Sequence, residues 1–316
     1  MGDILTYRLP QQEIIRLNGT FKEIQQFEGI NGFIVTSFDK SKKFHFAENK
    51  KPEPNHSSNE TPVCYSKSEY NEIATSFLNK IKKQNLSKAI FSRVRAVNLE
   101  IEPFQFFNQL CLTYPNAFVY FISSPLFGTW IGASPEILIE STGKSAETMS
   151  LAGTLSRDSN EKWESKEKNE QDYVTTYINN KLIESGVENL QISDQQEVNA
   201  GPVRHLKTTF QFDLGSNSAI AIADKLHPTP AVSGYPQKEA LDLIHKSEKH
   251  QRRIYAGMIG VINEHSTQLF VNLRCAEIIH NQAYLYLGGG FTKDSNVVSE
   301  WNETENKAKT LLNVMK

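Results

Sequence analysis

Three β-prone segments follow one another near the C-terminus: RRIYAGMIGVIN (252–263), TQLFVNLRCAEII (267–279) and QAYLYLGGGF (282–291). They are rich in β-branched and aromatic residues and are separated by short polar turns, which is typical of antiparallel strands. Upstream segments have the same character: 32–38, 88–100, 117–125, 129–142, 145–156 and 205–214. Because helices are interspersed without regular βαβ alternation, the pattern predicts an α+β fold.

Five segments have helical spacing of their apolar residues: 69–85, 103–115, 172–185, 238–251 and 297–316. The polar stretch KSKKFHFAENKKPEPNHSSNETP (40–62) is predicted to be a loop because of its Lys, Pro, Asn and Ser content. We expect residues 1–84 to form a β-rich region of the same domain as a catalytic region at 85–316.

Composition limits the class of protein. The 34 Lys and Arg against 36 Asp and Glu leave a net charge of −2, which argues against a partner such as nucleic acid or an anionic membrane. The three cysteines form no CxxC pair, and no stretch approaches the roughly 18 apolar residues of a membrane helix. With no secretory signal visible, we expect a soluble cytoplasmic protein.

The C-terminal helix carries Glu300, Glu303 and Lys307 on one face. This face is either solvated, with a weak ion pair, or a carboxylate pair for a hard cation such as Mg²⁺ beside a lysine for an anion. Such a cation needs a further acidic group, for which Glu170 is a candidate, although it lies in a highly charged run.

Two ionisable residues stand in apolar strand segments. Lys88 either lies at a sheet edge or points inward, where burial would lower its pKa and suit it as a general base. Glu136 lies among Ile and Leu residues, where a carboxyl group tends to stay protonated as a general acid requires; otherwise it is a strand-end carboxylate.

Further candidates would bind anions. Arg274 is a lone cation among apolar strand residues and either binds an anionic ligand or pairs with a carboxylate such as Glu277. The run Gly288, Gly289 and Gly290 either offers backbone N–H groups or forms a tight turn. His227, in the proline-rich LHPTPAVSGYP, either orients a ligand or caps a turn.

Nine motifs in a fixed order resemble the chorismate-utilising enzymes, which include isochorismate, salicylate, anthranilate and aminodeoxychorismate synthases. They are KAIFSR, GASPEILIE, SLAGT, KEKNEQDYV, LHPTPAVSGYP, RRIYAGMIG, VNLRCAEI, LGGGF and EWNETENKAKTLL, and they cover the chain from Lys88 to the C-terminus. The resemblance implies a large α+β domain of two packed antiparallel sheets with helices outside.

The resemblance also implies roles. Lys88 would be the base for attack of water at C2 of chorismate, and Glu136 the acid for loss of the C4 hydroxyl. Mg²⁺ would be held by Glu170 and Glu303, with Glu300 close to it or bound through water. Substrate would contact a further group of residues: Gly153, Thr154, His227, Arg274, Gly288, Gly289, Gly290 and Lys307.

The branch of the family is indicated by two positions. Ala152 stands where aminodeoxychorismate synthases have a nucleophilic lysine, and Lys88 where anthranilate synthases usually have glutamine. These positions favour water as the nucleophile and hence an Mg²⁺-dependent isochorismate synthase. Salicylate synthase, which goes on to expel pyruvate, and a non-catalytic homologue remain alternatives, and both the menaquinone and the siderophore pathway stay open. The resemblance suggests a monomer.

Overall fold

The computed structural model describes residues 3–48, 60–157 and 160–315. The helices in these ranges are α1 (Lys67–Gln84), α2 (Pro103–Thr113), α3 (Ser165–Glu184), α4 (Ala219–Leu226), α5 (Gln237–Ser247) and α6 (Val297–Leu312). All five helices predicted from the sequence are present, whereas α4 was not predicted. None of the helices in the described ranges is long and apolar enough to span a membrane.

Eighteen strands occur in the same ranges. They are β1 (Ile4–Arg8), β2 (Ile14–Leu17), β3 (Gly19–Glu23), β4 (Gly32–Thr36), β5 (Lys43–Glu48), β6 (Lys88–Asn98), β7 (Phe118–Ser124), β8 (Gly128–Ser134), β9 (Ile137–Thr142), β10 (Ser145–Ser156), β11 (Glu188–Ile192), β12 (Gln196–Ala200), β13 (Val203–Asp213), β14 (Gly234–Tyr235), β15 (Met258–Ile262), β16 (Ser266–Val271), β17 (Cys275–Ile279) and β18 (Gln282–Phe291).

The strands form two antiparallel sheets. The first sheet has the order β14-β6-β18-β17-β8-β7-β1-β2, and the second has the order β11-β13-β10-β9-β16-β15-β4-β5-β3 with β12 paired to β13. The rings of Phe118 in the first sheet and Phe270 in the second stack at 4.5 Å between centroids, so the sheets pack face to face. The predicted α+β fold with two packed antiparallel sheets is confirmed.

The side chains of β7 alternate between two hydrophobic cores, which shows what covers each face of the first sheet. Phe118, Tyr120 and Ile122 lie in the core shared with the second sheet. Val119 and Phe121 lie in a second core, to which α2 and α6 contribute Phe106 and Leu311 among others. Since successive strand residues point to opposite faces, the first sheet is covered by the second sheet on one face and by these helices on the other.

Two of the longer predicted strands are each divided between the sheets. Segment 129–142 forms β8 in the first sheet and β9 in the second, and segment 267–279 forms β16 in the second and β17 in the first. The chain crosses between sheets at Pro135–Glu136 and again at 272–274. Two of the candidate residues, Glu136 and Arg274, therefore lie at crossovers.

The prediction of a loop at 40–62 is wrong for residues 43–48, which form β5 between β3 and β4. Phe44 and Phe46 are buried there and alternate with the more exposed Lys43 and His45, so a polar composition conceals a strand with one apolar face. Residues 49–59 of the predicted loop lie outside the described residues.

Candidate active site

A small cavity of about 50 Å³ lies where the crossovers meet the ends of β6, β10 and β18. It is lined by both sheets, by α3 and α6 and by neighbouring loops: Lys88, Ile90, Pro135, Glu136, Leu151, Ala152, Gly153, Thr154, Glu170, His205, Ala231, Val232, Tyr255, Leu273, Arg274, Gly288, Gly290 and Lys307. A wide cleft of about 880 Å³ shares Pro135, Leu151 and Arg274 with this cavity. Nine of the thirteen residues selected from the sequence line the cavity.

Lys88 and Glu170 form a buried ion pair at one wall. Lys88 Nζ lies 2.9 Å from Glu170 Oε1, and the lysine is 1% exposed. The strand β6 lies between β14 and β18, so Lys88 points inward and is not a solvated edge residue. A Cβ added at Gly290 would collide with Glu170 Oε1 and lie 3.3 Å from Lys88 Cε, which explains why glycine occupies this position.

Glu136 lies at the first crossover and is buried beside three cations. Burial raises the pKa of its carboxyl group to about 7, although Lys88, Arg274 and Lys307 pull it downward. A group with this pKa is about half protonated at neutral pH and can both hold and release a proton there.

The second crossover places Arg274 against a histidine that was missed from the sequence. Arg274 Nη2 lies 3.3 Å from His205 Nε2, and His205 Nδ1 lies 2.8 Å from the Gly153 carbonyl oxygen. Burial, and then the charges of Arg274 and Lys307, lower the pKa of His205 to about 3, so the ring is neutral. Nδ1 therefore carries the proton and donates to Gly153, and Nε2 accepts from Arg274.

The surroundings of Arg274 favour an anionic ligand over the alternative of a pair with Glu277. Glu277 pairs instead with Arg253, and Nε of Arg274 is buried without a hydrogen-bond partner among the described residues. A buried guanidinium with a free N–H is a strong donor for a carboxylate.

The geometry does not support the role predicted for His227. This residue caps the C-terminal end of α4, and its Nε2 lies 3.2 Å from the Phe38 carbonyl oxygen. It does not line the cavity. The alternative interpretation, a capping histidine, agrees with the structure.

The predictions made for the three glycines are also corrected in part. Gly288, Gly289 and Gly290 form no tight turn, because they lie within β18 and pair with β6. Gly288 and Gly290 line the cavity, whereas Gly289 faces Glu300. The Gly288 carbonyl oxygen accepts a hydrogen bond from Lys307 Nζ at 2.9 Å, so this glycine contributes an acceptor to the site.

The candidate cation-binding carboxylates are each held by a lysine. Besides the pair of Lys88 and Glu170, Lys166 Nζ lies 2.7 Å from Glu300 Oε1 and Lys307 Nζ lies 2.6 Å from Glu303 Oε1. Glu300 is fully buried, so the solvated-face alternative for α6 is wrong at this residue.

The charges of the three acids and of the neighbouring lysines shift one another's pKa values. Burial and the neighbouring Glu303 raise the pKa of Glu300 to about 7. Burial alone would raise the pKa of Glu303, but Lys307 and Lys166 lower it below its ordinary value. Burial alone would lower the pKa of Lys166, yet Glu300, Glu170 and Glu303 raise it above its ordinary value.

The carboxylate oxygens of Glu170, Glu300 and Glu303 are donors of the type that a hard divalent cation takes. Within the described ranges no group of three or more His, Cys, Asp or Glu residues is arranged so that it could hold a metal ion. However, Glu300 Oε2 is buried and has no hydrogen-bond partner there, and carboxylate oxygens are the protein ligands that Mg²⁺ prefers. Mg²⁺ commonly takes only one or two protein carboxylates and keeps its remaining positions for water and substrate oxygens.

The sequence pattern of the family described as chorismate binding enzyme matches residues 4–316. The chain belongs to this family. The match confirms the resemblance found from the motifs and extends it to the N-terminal residues, where no motif was recognised.

Individual members of the chorismate binding enzyme family show how far the similarity reaches. Isochorismate synthase EntC of Escherichia coli strain K12 is 32% identical over 199 residues, 59% of this chain and 51% of the relative. The salicylate biosynthesis isochorismate synthase of Pseudomonas aeruginosa is 31% identical over 241 residues, 72% of this chain and 50% of the relative. The chain thus spans about half the length of these curated relatives.

A solved structure shares the fold along nearly the whole chain. It is that of MenF, the menaquinone-specific isochorismate synthase from Escherichia coli, with a TM-score of 0.83 and 19% identity, covering 99% of this chain and 89% of the other. At this level of identity the likeness concerns the fold alone.

Proposed function

We propose that the protein is an isochorismate synthase, which converts chorismate to isochorismate and needs Mg²⁺. The observation that carries the proposal is that a buried lysine, Lys88, and a carboxyl group of near-neutral pKa, Glu136, face one cavity. Arg274 adds a cation for a carboxylate at the same cavity. The names of the relatives from Escherichia coli and Pseudomonas aeruginosa support the same reaction.

The reaction exchanges one hydroxyl group for another across the ring. A water oxygen bonds to C2 of chorismate, the ring double bonds shift, and the bond between C4 and its hydroxyl oxygen breaks. In its neutral amine form, Lys88 takes a proton from the attacking water. Glu136 donates its proton to the departing hydroxyl group, which leaves as water.

The remaining residues bind and orient the substrate. Arg274 and Lys307 would pair with its carboxylates, and neutral His205 would fix the orientation of the Arg274 guanidinium. Mg²⁺, held by Glu170, Glu300 and Glu303, would neutralise a substrate carboxylate and restrict the ring between base and acid.

Product analysis tests this proposal. Purified protein is incubated with chorismate, with and without MgCl₂, and the products are separated by liquid chromatography and identified by mass. We expect isochorismate as the product in the presence of Mg²⁺ and none from the Lys88→Met variant. Stoichiometric salicylate and pyruvate would indicate the salicylate synthase alternative, and unchanged chorismate would indicate a non-catalytic homologue.

A further inference from the structure

The carboxylate cluster of Glu170, Glu300 and Glu303 borders a second opening besides the site cavity. This opening, which we call the outer cleft, has a volume of about 490 Å³ and includes Glu303 and Lys166 in its lining. Five acids and two lysines of the described residues line it, Glu164, Glu167 and Asp294 among the acids. The field in the outer cleft therefore favours cations.

The wide cleft has the opposite character. Its charged lining residues within the described ranges are Arg157, Lys207 and Arg274, all of them cations, and it shares no lining residue with the outer cleft. A doubly negative substrate and a divalent cation would thus each be attracted to a different opening.

Each acid of the carboxylate cluster is paired with a lysine, and Lys166 is the lysine that can leave its carboxylate most easily. Its side chain is 22% exposed and lies in the first turn of α3, whereas that of Lys88 is 1% exposed. The side chain of Lys307 is 13% exposed and is tied to the Gly288 carbonyl oxygen as well as to Glu303.

Glu300, the partner of Lys166, has one carboxylate oxygen that is available to bind a ligand. Glu300 Oε1 accepts from both Lys166 and Ser295, each at 2.7 Å, whereas its Oε2 is buried without a partner in the described part of the chain. A cation that replaced the ammonium group would meet both oxygens of a desolvated carboxylate.

We propose that Lys166 is the resident counter-cation of the carboxylate cluster and moves into the outer cleft when a divalent cation binds, so that the cation enters from this cleft and the substrate from the wide cleft. The proposal rests on the proposed function, because it takes the cluster to be the Mg²⁺ site. It assigns Lys166 a positioning and gating role without contact to the substrate.

The first test measures binding of Mn²⁺, used as the probe cation, by calorimetry in the absence of chorismate. Lys166→Gln removes the competing charge and should bind Mn²⁺ roughly tenfold more tightly than the wild type. Lys162→Gln is the matched control, since it removes a lysine that lines the same cleft, and should change the affinity less than about twofold. Equal or weaker binding by Lys166→Gln would overturn the proposal.

The second test follows the lysine itself in the unmodified protein and does not depend on how well the variant folds. The rate at which an amine-reactive acetylating reagent labels Lys166 is measured by peptide mass spectrometry with and without Mg²⁺. We expect labelling of Lys166 to rise several-fold with Mg²⁺ while Lys162 serves as the internal reference. Unchanged or slower labelling of Lys166 would refute displacement.

Activity of the same preparation separates the two proposals. If chorismate is converted but Lys166 is not displaced, the lysine proposal fails and the proposed function stands. If Lys166 is displaced but chorismate is not converted, the proposed function fails and the displacement stands.

Discussion

Replacing Glu136 with glutamine should remove a pH-dependent loss of stability. The change keeps the shape of the side chain but removes the ionisable group. Because burial raises the pKa of Glu136 from 4.5 to about 7, the folded protein binds more protons than the unfolded chain between these values. The contribution of Glu136 to stability is therefore fully present below pH 4.5 and is lost as the pH rises through 7.

The magnitude follows from the two pKa values. Between pH 5 and pH 8 the wild type should lose about 2–3 kcal/mol of unfolding free energy through Glu136, which the variant should not lose. Urea unfolding followed by circular dichroism gives the unfolding free energy of both proteins at both pH values. The change with pH in the variant is subtracted from the change in the wild type, so that contributions from other groups, such as Glu300, cancel.

The same substitution at Glu140 is the matched control. Glu140 lies on β9, four residues along, and its carboxylate accepts a hydrogen bond from Gln268 at a partly exposed position. We expect Glu140→Gln to retain the pH dependence of the wild type. Identical pH dependence of the wild type and Glu136→Gln would refute the conclusion that Glu136 is held protonated by burial.

Three further substitutions test other parts of the site. Lys88→Met leaves the Glu170 carboxylate buried without its partner and should reduce stability by about 3 kcal/mol in urea unfolding as well as abolish turnover; retained turnover would remove Lys88 from the mechanism. Gly290→Ala forces a Cβ against Glu170 and should cost about 1–3 kcal/mol of unfolding free energy, and an unchanged midpoint would contradict this close packing. Glu303→Gln should raise the Mg²⁺ concentration for half-maximal activity roughly tenfold, and an unchanged titration would exclude Glu303 as a ligand.

Several site residues could be predicted because they break a local pattern. Lys88, Glu136 and Arg274 are charged residues in apolar β-prone segments, where an unpaired charge is unfavourable unless it has a function or a partner. What the sequence could not show is that two of these segments each cross from one sheet to the other. A crossover keeps the β-prone composition, so it leaves no local signal, although it places Glu136 and Arg274 together.

His205 likewise leaves no local signal in the sequence, so it could not be recognised as a site residue. It lies in a β-prone segment like any strand histidine, and its contact with Thr154 joins residues 51 positions apart through the pairing of β10 with β13. That register contains a bulge at Gly153, whose φ of +68° is accessible to glycine. Pairing between distant strands is set by tertiary packing. The contact between His205 and Arg274 is therefore visible only in the folded structure.

Of the N-terminal strands, β4 was predicted, whereas β2 and β5 were missed because their sequences are short and mixed. Strand β2 covers only Ile14–Leu17 and buries none of its residues fully, and β5 interleaves Lys and His with Phe. Both strands become visible only through their partners, β1 for the former and β3 and β4 for the latter.

The central claim is that water activated at Lys88 attacks one ring carbon while Glu136 releases the hydroxyl group of another. Conversion of chorismate in oxygen-18 water, with the isochorismate analysed by mass spectrometry, tests it most directly. The account predicts that each isochorismate molecule carries one heavy oxygen, located at C2. Isochorismate without the heavy isotope would show that the original hydroxyl group is transferred within the substrate, and would contradict the account.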